Sequence, residues 1–318
     1  MKKILVIGEI LVEIMADSEG EGFRQPQPLT GPFPSGAPAI YVSQAARLGQ
    51  PVAIISAVGD DDFGHLNLDR LKGDGVDISG VRIDSERPTG SAFVRYRADG
   101  SRDFVFNIQH SACGTLDASA QAPELIGAAD HIHIMGSSLS SPAFADLNLA
   151  AAAAIKARGG TVSFDPNLRK EMLATPGLEV ALKQALDLTD LFLPSGEELM
   201  LLTGSADEDA AINELIAGGV TAIVHKNGAT GACYHDANDA IDIPSFAVDE
   251  IDPTGAGDSF CGAFTAHWLR GTPPRRALQY AAAAGALAVT RRGPMEGVFD
   301  QRRLDEFVNE NQTGMASK

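Results

Sequence analysis

The chain has 318 residues, of which 44% are hydrophobic and 21% charged, and its formal net charge is −17. This composition is ordinary for a globular enzyme, and the length suits one large α/β core with an inserted piece. The negative charge argues against nucleic acid and anionic membrane surfaces as partners, because both would repel the chain.

The N-terminal run MKKILVIGEILVEIM is apolar, but Gly8 and Glu9 interrupt it and no small-residue cleavage site follows. We interpret residues 4–7 as a buried first strand, and we find no apolar stretch long enough to span a bilayer. The isolated cysteines of the chain are Cys113, Cys233 and Cys261. They indicate neither a disulfide framework nor a zinc site, so we expect a cytoplasmic protein.

Short β-branched runs then alternate with segments rich in Ala and Leu. This pattern predicts an α/β fold with a doubly wound, mainly parallel sheet and helices on both faces. The predicted strands are residues 4–7, 52–58, 132–135, 161–164, 191–193 and 222–225. The predicted helices are residues 43–48, 62–74, 143–157, 178–186 and 207–217.

Two segments break this alternation and predict a small β lid inserted into the α/β body. Residues 88–111 alternate apolar and polar side chains around Asp99-Gly100, which is typical of a hairpin. Residues 13–34 are rich in Pro and Gly and are expected to add short strands. The predicted division is core at 1–12, 35–87 and 112–308, lid at 13–34 and 88–111, and a disordered tail at 309–318.

Polar residues follow most of the predicted strands, at the edge of the sheet where open α/β folds bind ligands. They are Gly8-Glu9, Gly59-Asp60, Gly136-Ser137, Asp165-Pro166-Asn167, Ser195 with Glu197-Glu198, and Lys226-Asn227-Gly228. Any one of these groups could simply cap a helix. Together, the acidic, amide and cationic side chains predict a shared crevice.

The segment 252–260, DPTGAGDSF, places three small residues directly before Asp258 at the start of a predicted helix. Such a turn presents free N–H groups and the positive end of the helix dipole, which suits an anion. A carboxylate held there could accept a proton from a nearby hydroxyl. An acidic residue in the first turn of a helix is also common without such a role.

Residues 252–265, DPTGAGDSFCGAFT, resemble the C-terminal signature of the PfkB/ribokinase-type carbohydrate kinases. Residues 35–49, SGAPAIYVSQAARLG, resemble the family's N-terminal signature, and residues 8–9, 57–64, 165–169 and 226–231 also match its pattern. The resemblance covers nearly the whole chain. It implies a ribokinase-like fold and ATP-dependent phosphorylation of a sugar hydroxymethyl group, with Mg²⁺ as cofactor and K⁺ as a candidate activator.

The same resemblance implies roles for individual residues. Asp258 would be the catalytic base, and the N–H groups of Gly255, Ala256 and Gly257 would stabilise the transferring phosphoryl group. The nucleotide would contact Ser195, Lys226, Asn227, Gly228, Gly231 and Gly257, with adenine near residues 281–288. Glu198 would hold Mg²⁺ indirectly, and Asp252 with Thr254 would hold a monovalent cation. Ser195 replaces the asparagine of the family's Asn-x-x-Glu motif.

For the sugar, the resemblance implies contacts from Glu13, Ser35, Gly36, Asn107, Asn167, Arg169 and Asp258. Ile40 stands where many relatives have Asn, and Asn107 stands where kinases of 2-keto-3-deoxygluconate often have Arg. An amide at residue 107 favours a neutral sugar over a sugar acid. We expect a ketohexose such as tagatose or fructose, then 2-keto-3-deoxygluconate, and ribose or a nucleoside third.

Other interpretations are weaker. His131 and His133 could suggest a metal site, but no third ligand lies at useful spacing, which favours packing. A Rossmann oxidoreductase would need GxGxxG after the first strand, and a P-loop kinase would need a lysine after a glycine. The chain has neither feature. A sugar sensor with the kinase fold but no catalysis is the alternative of another class. Relatives in the family often dimerise through the lid strands, whose exposed edges would otherwise be sticky, so the resemblance implies a homodimer through the lid.

Overall fold

The computed structural model describes residues 1–20, 22–98, 102–116, 122–140, 142–168 and 175–315. Within them, nine strands form a large sheet: β1 (Ile4–Ile7), β4 (Val52–Gly59), β5 (Asp77–Asp84), β8 (His131–Met135), β9 (Thr161–Asp165), β10 (Leu191–Phe192), β11 (Ala222–Lys226), β12 (Ala232–His235) and β13 (Ala240–Ile243). Four strands form a small sheet: β2 (Leu11–Ala16), β3 (Leu29–Ser35), β6 (Gly90–Tyr96) and β7 (Arg102–Asn107).

The helices of the described chain are α1 (Ala37–Arg47), α2 (Asp62–Asp74), α3 (Ala122–Ala128), α4 (Pro142–Lys156), α5 (Leu178–Asp187), α6 (Glu198–Thr203), α7 (Glu208–Ala217), α8 (Ala256–Leu269), α9 (Pro274–Ala288) and α10 (Gln301–Met315). None of these helices is long and apolar enough to cross a bilayer. Helix α10 continues to Met315, past residue 309, where we expected a disordered tail.

The large sheet has the strand order β13-β12-β11-β10-β9-β8-β1-β4-β5, and its strands from β11 to β5 are parallel. The doubly wound fold class is therefore confirmed. Strands β5, β12 and β13 lie at the two ends of the sheet and escaped prediction, because half-exposed strands lack a continuous apolar run.

The sheet separates two hydrophobic clusters, and the alternation of strand side chains assigns residues to each. Ile4 and Val6 of β1 belong to the cluster under α1, α8 and α9, whereas Leu5 and Ile7 belong to the opposite cluster under α4 and α5. All of these side chains are fully buried, so the sheet positions its polar carboxyl edge rigidly.

The small sheet has the order β3-β2-β6-β7, in which β2 and β6 are parallel and the outer pairs are antiparallel. We call these four strands the lid. Alternation along β7 puts Arg102, Phe104 and Phe106 on one face and Asn107 on the other. The Phe104 and Phe106 rings stack with centroids 5.1 Å apart.

The two histidines of β8 are buried and hydrogen-bonded to the neighbouring strand. His131 contacts the hydroxyls of Thr161 and Ser163 at 2.8 Å each, and His133 contacts Ser163 at 2.7 Å. The His133 ring stacks on Tyr41 with centroids 3.8 Å apart. No group of three or more His, Cys, Asp or Glu in the described chain could hold a metal ion.

Burial makes His131 a source of acid sensitivity, because it lowers the pKa of His131 to about 3. Below about pH 6.5 an unfolded histidine binds a proton that the folded chain excludes, so stability is lost as the pH falls. Below about pH 6, His131→Gln should reduce the pH slope of the unfolding free energy by about 1.4 kcal/mol per pH unit, measured by urea titrations.

The control for this experiment is Asn148→Ala, since Asn148 is equally buried and donates to the Ile7 carbonyl but carries no titrating group. This control should lower stability and leave the pH slope unchanged. An unchanged slope in His131→Gln would show that His131 is protonated in the folded chain.

Candidate active site

A cavity of about 670 Å³ is lined by residues from the carboxyl edge of the large sheet and from the inner face of the lid. Its lining includes Asp258 from α8, Glu13 from β2, and Phe104 and Phe106 from β7. Of the polar residues predicted to share a crevice at the sheet edge, Glu9 and Ser137 line this cavity.

Asp258 lies in the first turn of α8 and is 5% exposed. The N-cap residue Gly255 adopts the left-handed conformation with φ 79°, and no side chain caps the first N–H groups of the helix. Those N–H groups, from Ala256 and Gly257 onward, remain available to an anion next to the Asp258 carboxylate.

Asn167 holds the Asp258 carboxylate in place. Its side-chain amide donates to Asp258 Oδ1 at 3.0 Å, and its backbone N–H donates to Asp165 Oδ1 at 3.1 Å. Asn167 has a φ of 43°, a conformation that Asn tolerates better than most residues but that still costs energy. Asn167, which we expected at the sugar, therefore contacts the candidate base.

The turn before α8 requires glycine at residue 255. A Cβ there would lie 2.3 Å from the Pro294 carbonyl oxygen, and the left-handed conformation adds a cost of about 1–2 kcal/mol. Gly255→Ala should destabilise the protein by at least that amount and lower kcat on the order of 10²-fold, because the N–H groups would be displaced. Thermal unfolding and steady-state kinetics check both effects.

Gly257 provides the matched control for stability, since a Cβ there meets no atom within 4 Å. Gly257→Ala should unfold within a few degrees of the unmodified protein. Equal thermal stability of the two variants would contradict the steric account of the turn.

Glu13 and Ser35 form the lid side of the cavity. Glu13 is 3% exposed, and Ser35 donates to its Oε2 at 3.2 Å. Gly36 has a φ of 112°, and a Cβ there would lie 2.5 Å from the carbonyl oxygen of Glu9. Ile40, where many relatives carry Asn, also lines the cavity and makes this part of the wall apolar.

Glu9, which we expected at the crevice but to which we assigned no ligand contact, lines the cavity. It is 7% exposed and accepts hydrogen bonds from Ser137 at 2.8 Å and Ser138 at 2.7 Å. The sequence indicated Glu9 only through its position just after the first strand. Arg87 and His110 also line the cavity, but they lie in irregular segments whose sequence carries no comparable signal.

One predicted sugar contact, Asn107, is not brought to the cavity. Asn107 lies on the face of β7 opposite Phe104 and Phe106, where its amide is 3.4 Å from Ser91 Oγ. The reason is the period of two along a strand, which turns residue 107 outward once residues 104 and 106 face inward. Arg169 lies outside the described residues.

All the predicted nucleotide contacts except Gly257, which lies in the first turn of α8, lie at or after the carboxyl ends of β10 and β11. Ser195 forms a β-bridge with Lys226, and the Asn227 N–H donates to the Gly231 carbonyl at 2.9 Å, which closes a tight loop around Gly228. Gly228 is exposed and Asn227 is half-buried. These loop residues lie close together, and their contact with a nucleotide stays a prediction.

The Lys226 side chain, however, points into the protein. It is 8% exposed, and its ammonium donates to Asp165 Oδ2 at 2.6 Å and to Cys261 Sγ at 3.2 Å. Burial opposes the charged form, but the attraction of Asp165 outweighs it and raises the pKa of Lys226. Its side chain thus supports the Asp165–Asn167 turn in this structure, rather than reaching the crevice.

Glu198, the predicted indirect ligand of Mg²⁺, accepts hydrogen bonds from the backbone N–H groups of Leu168 and Ser195 at 2.7 Å each. Burial and the charge of Asp165 raise the pKa of Glu198 to about 7. A bound divalent cation would offset the excess negative charge at this half-buried carboxylate. Glu198 therefore fits the part of an outer ligand.

Asp252 and Thr254, the predicted ligands of a monovalent cation, are engaged with the lid. Asp252 accepts hydrogen bonds from the Tyr96 hydroxyl at 2.8 Å and from the Thr254 and Gly293 N–H groups at 3.0 and 2.9 Å. The Thr254 hydroxyl accepts one from the Arg102 guanidinium at 2.8 Å. The Arg102 guanidinium therefore brings a positive charge to the side chain of Thr254.

Comparison with known proteins bears on this site. A sequence model described as pfkB family carbohydrate kinase matches residues 1–301. The chain is 32% identical over 303 residues to probable fructokinase-5 of Arabidopsis thaliana, covering 91% of this chain and 92% of that protein.

Two solved structures resemble the whole chain. A putative ribokinase II from E. coli, in complex with ATP and Mg²⁺, has a TM-score of 0.92 at 48% identity and covers 98% of this chain and 100% of its own. A double mutant of fructokinase from Vibrio cholerae O395, in fructose, ADP and potassium ion bound form, has a TM-score of 0.83 at 29% identity, covering 97% and 98%.

Proposed function

The chain belongs to the pfkB family of carbohydrate kinases and is an ATP-dependent sugar kinase with a metal ion cofactor, and from this premise we propose fructose as its acceptor. Tagatose, another neutral ketohexose, is the second candidate. The observation that carries the proposal is the cavity, where the buried Asp258 and Glu13 carboxylates lie between an apolar lid face and the N-terminus of α8.

In the proposed reaction, Asp258 accepts the proton of the sugar hydroxymethyl group as its oxygen attacks the γ-phosphorus of ATP. Asn167 keeps the Asp258 carboxylate aimed at that hydroxyl. The N–H groups of Gly255, Ala256 and Gly257 stabilise the charge on the transferring phosphoryl group. Glu198 would hold Mg²⁺ indirectly, and the ion would supply positive charge to the phosphates of ATP.

The charges of the cavity support a neutral sugar. Glu9, Glu13 and Asp258 are acceptors for sugar hydroxyl groups, and their negative charge would repel the carboxylate of a sugar acid. Arg87 also lines the cavity, but it lies at the exposed rim. The Asn107 side chain faces away from the cavity and does not select between a neutral sugar and a sugar acid.

The experiment is ADP release with fructose, tagatose, ribose and 2-keto-3-deoxygluconate at fixed ATP and Mg²⁺. We expect the highest kcat/KM with a ketohexose. Arg87→Gln should change that kcat/KM by less than about threefold. Highest kcat/KM with 2-keto-3-deoxygluconate, lost in Arg87→Gln, would contradict the neutral-sugar proposal. Binding of a sugar without turnover would favour a sensor.

We further propose a homodimer formed through the outer face of the lid. An apolar groove there is lined by Phe23, Leu29, Phe93 and Val105, and the Leu29 and Val105 side chains are 43% and 51% exposed. A second copy of the chain would cover this surface and the free edges of the lid. Light scattering should give twice the chain mass, and Val105→Glu should give the monomer.

A reducing compartment, such as the cytoplasm, is proposed on separate grounds. All three cysteines are free, and Cys113 and Cys261 are buried where burial raises their pKa. Such thiols need no oxidising environment and resist reaction. Fractionation of expressing cells would test the location.

A further inference from the structure

The lid and the loop that precedes α8 are joined by polar contacts near the anion-binding turn. Tyr96 and Arg102 are cross-strand partners on β6 and β7, and they contact Asp252 and Thr254 respectively, each at 2.8 Å. Thr254 directly precedes Gly255, whose N-cap conformation exposes the helix N–H groups. The lid thus contacts the segment that would hold the phosphoryl group.

The buried Asp252 carboxylate needs compensation for its charge, since it is 1% exposed. It accepts hydrogen bonds from the hydroxyl of Tyr96 and from two backbone N–H groups, all of which are neutral. Burial, with the charge of Asp252, raises the pKa of Tyr96, so the hydroxyl keeps its proton and donates. Positive charge reaches this loop two residues after Asp252, where the Arg102 guanidinium donates to the Thr254 hydroxyl.

A second arginine lies nearby but is paired elsewhere. Arg292 precedes Gly293, and its guanidinium contacts Asp17 at 2.5 Å, with the two side chains 43% and 32% exposed. Arg102 instead donates to an uncharged hydroxyl that is itself 7% exposed. The charge of Arg102 is therefore directed at the loop and at the turn that follows it.

We propose that Arg102 is a positioning residue whose guanidinium takes the place of a monovalent cation at the 252–254 loop. The inference rests on the proposed role of the Gly255–Gly257 turn, but it does not depend on which sugar is accepted. Arg102 shares the inner face of β7 with Phe104 and Phe106, which line the cavity. The lid that covers the sugar therefore carries the charge that organises the phosphoryl site.

The expected signature is the response to K⁺. The unmodified protein should turn over fructose and ATP in 100 mM choline chloride within about twofold of its rate in 100 mM KCl. Arg102→Met should lose on the order of 10-fold in kcat in choline chloride and regain several-fold in KCl, because the vacated position can then accept the ion. Arg102→Lys should remain insensitive to K⁺.

Tyr96→Phe is the matched control, because it removes a lid contact to the same loop without removing charge. It should not acquire a response to K⁺. A stimulation of the unmodified protein by K⁺ of 10-fold or more would overturn the proposal. So would equal rates of Arg102→Met in both salts, or the same K⁺ response in Tyr96→Phe.

A readout without sugar separates this proposal from the choice of substrate. KCl should raise the thermal unfolding temperature of Arg102→Met relative to choline chloride and leave that of the unmodified protein unchanged. If fructose is not turned over, this comparison still decides the proposal. A K⁺-dependent rise in the unmodified protein would overturn it.

Discussion

Asp258→Asn should lower kcat on the order of 10³-fold while ATP and sugar still bind. The amide has the same shape, and its oxygen can still accept the hydrogen bond from Asn167, but it cannot accept the proton of the attacking hydroxyl. Steady-state ADP release gives kcat, and calorimetric titration with ATP and sugar gives the two affinities. A loss confined to kcat would indicate an interaction made in the transition state.

Asp249→Asn is the control, since it makes the same change at an exposed residue outside the cavity. It should retain normal kcat. Turnover by Asp258→Asn within about threefold of the unmodified protein would exclude Asp258 as the base and direct attention to a proton acceptor on ATP itself.

The second large effect concerns stability. Lys226→Met should lower the free energy of unfolding by about 3–5 kcal/mol, because it leaves the Asp165 carboxylate buried without its cation. The side chains of this ion pair are only 9% and 1% exposed, so water cannot replace the lost partner. Denaturant titration measures the loss. The double variant Lys226→Met/Asp165→Asn should recover part of it, since no buried charge remains.

The ion pair of Lys3 with Asp77 is the matched control, with a similar N–O distance of 2.8 Å but exposures of 27% and 36%. Lys3→Met should cost no more than about 1 kcal/mol. If Lys226→Met instead kept its stability and lost ATP affinity, Lys226 would act on the nucleotide, as the family resemblance predicted.

Several features of the fold could be predicted because they depend on short stretches of chain. The buried strands β1 and β4 are continuous apolar runs, and the parallel sheet follows from their alternation with helices. The turn at Gly255 and the position of Asp258 follow from three small residues at the start of a helix. The edge strands β12 and β13 carry no such run, which is why they were missed.

The sequence did not predict which way individual side chains point. We ended the strand at residue 225, but β11 includes Lys226, which therefore falls on the same face as Ala222 and Val224. That face packs against α8, and the Lys226 ammonium donates to Cys261 of α8 and to Asp165 at the end of β9. One residue of error in a strand boundary thus turned a buried side chain into an expected ligand contact.

The sequence by itself determined the fold class, the kinase family and the candidate base at Asp258, since each is encoded in a contiguous pattern of residues. Only the tertiary structure decided that Asn107 faces outward, that Lys226 is buried, and that Arg102 contacts Thr254. Arg102 and Thr254 are 152 residues apart in the chain. Contacts between such distant segments depend on how the lid packs on the core, and no local periodicity records that packing.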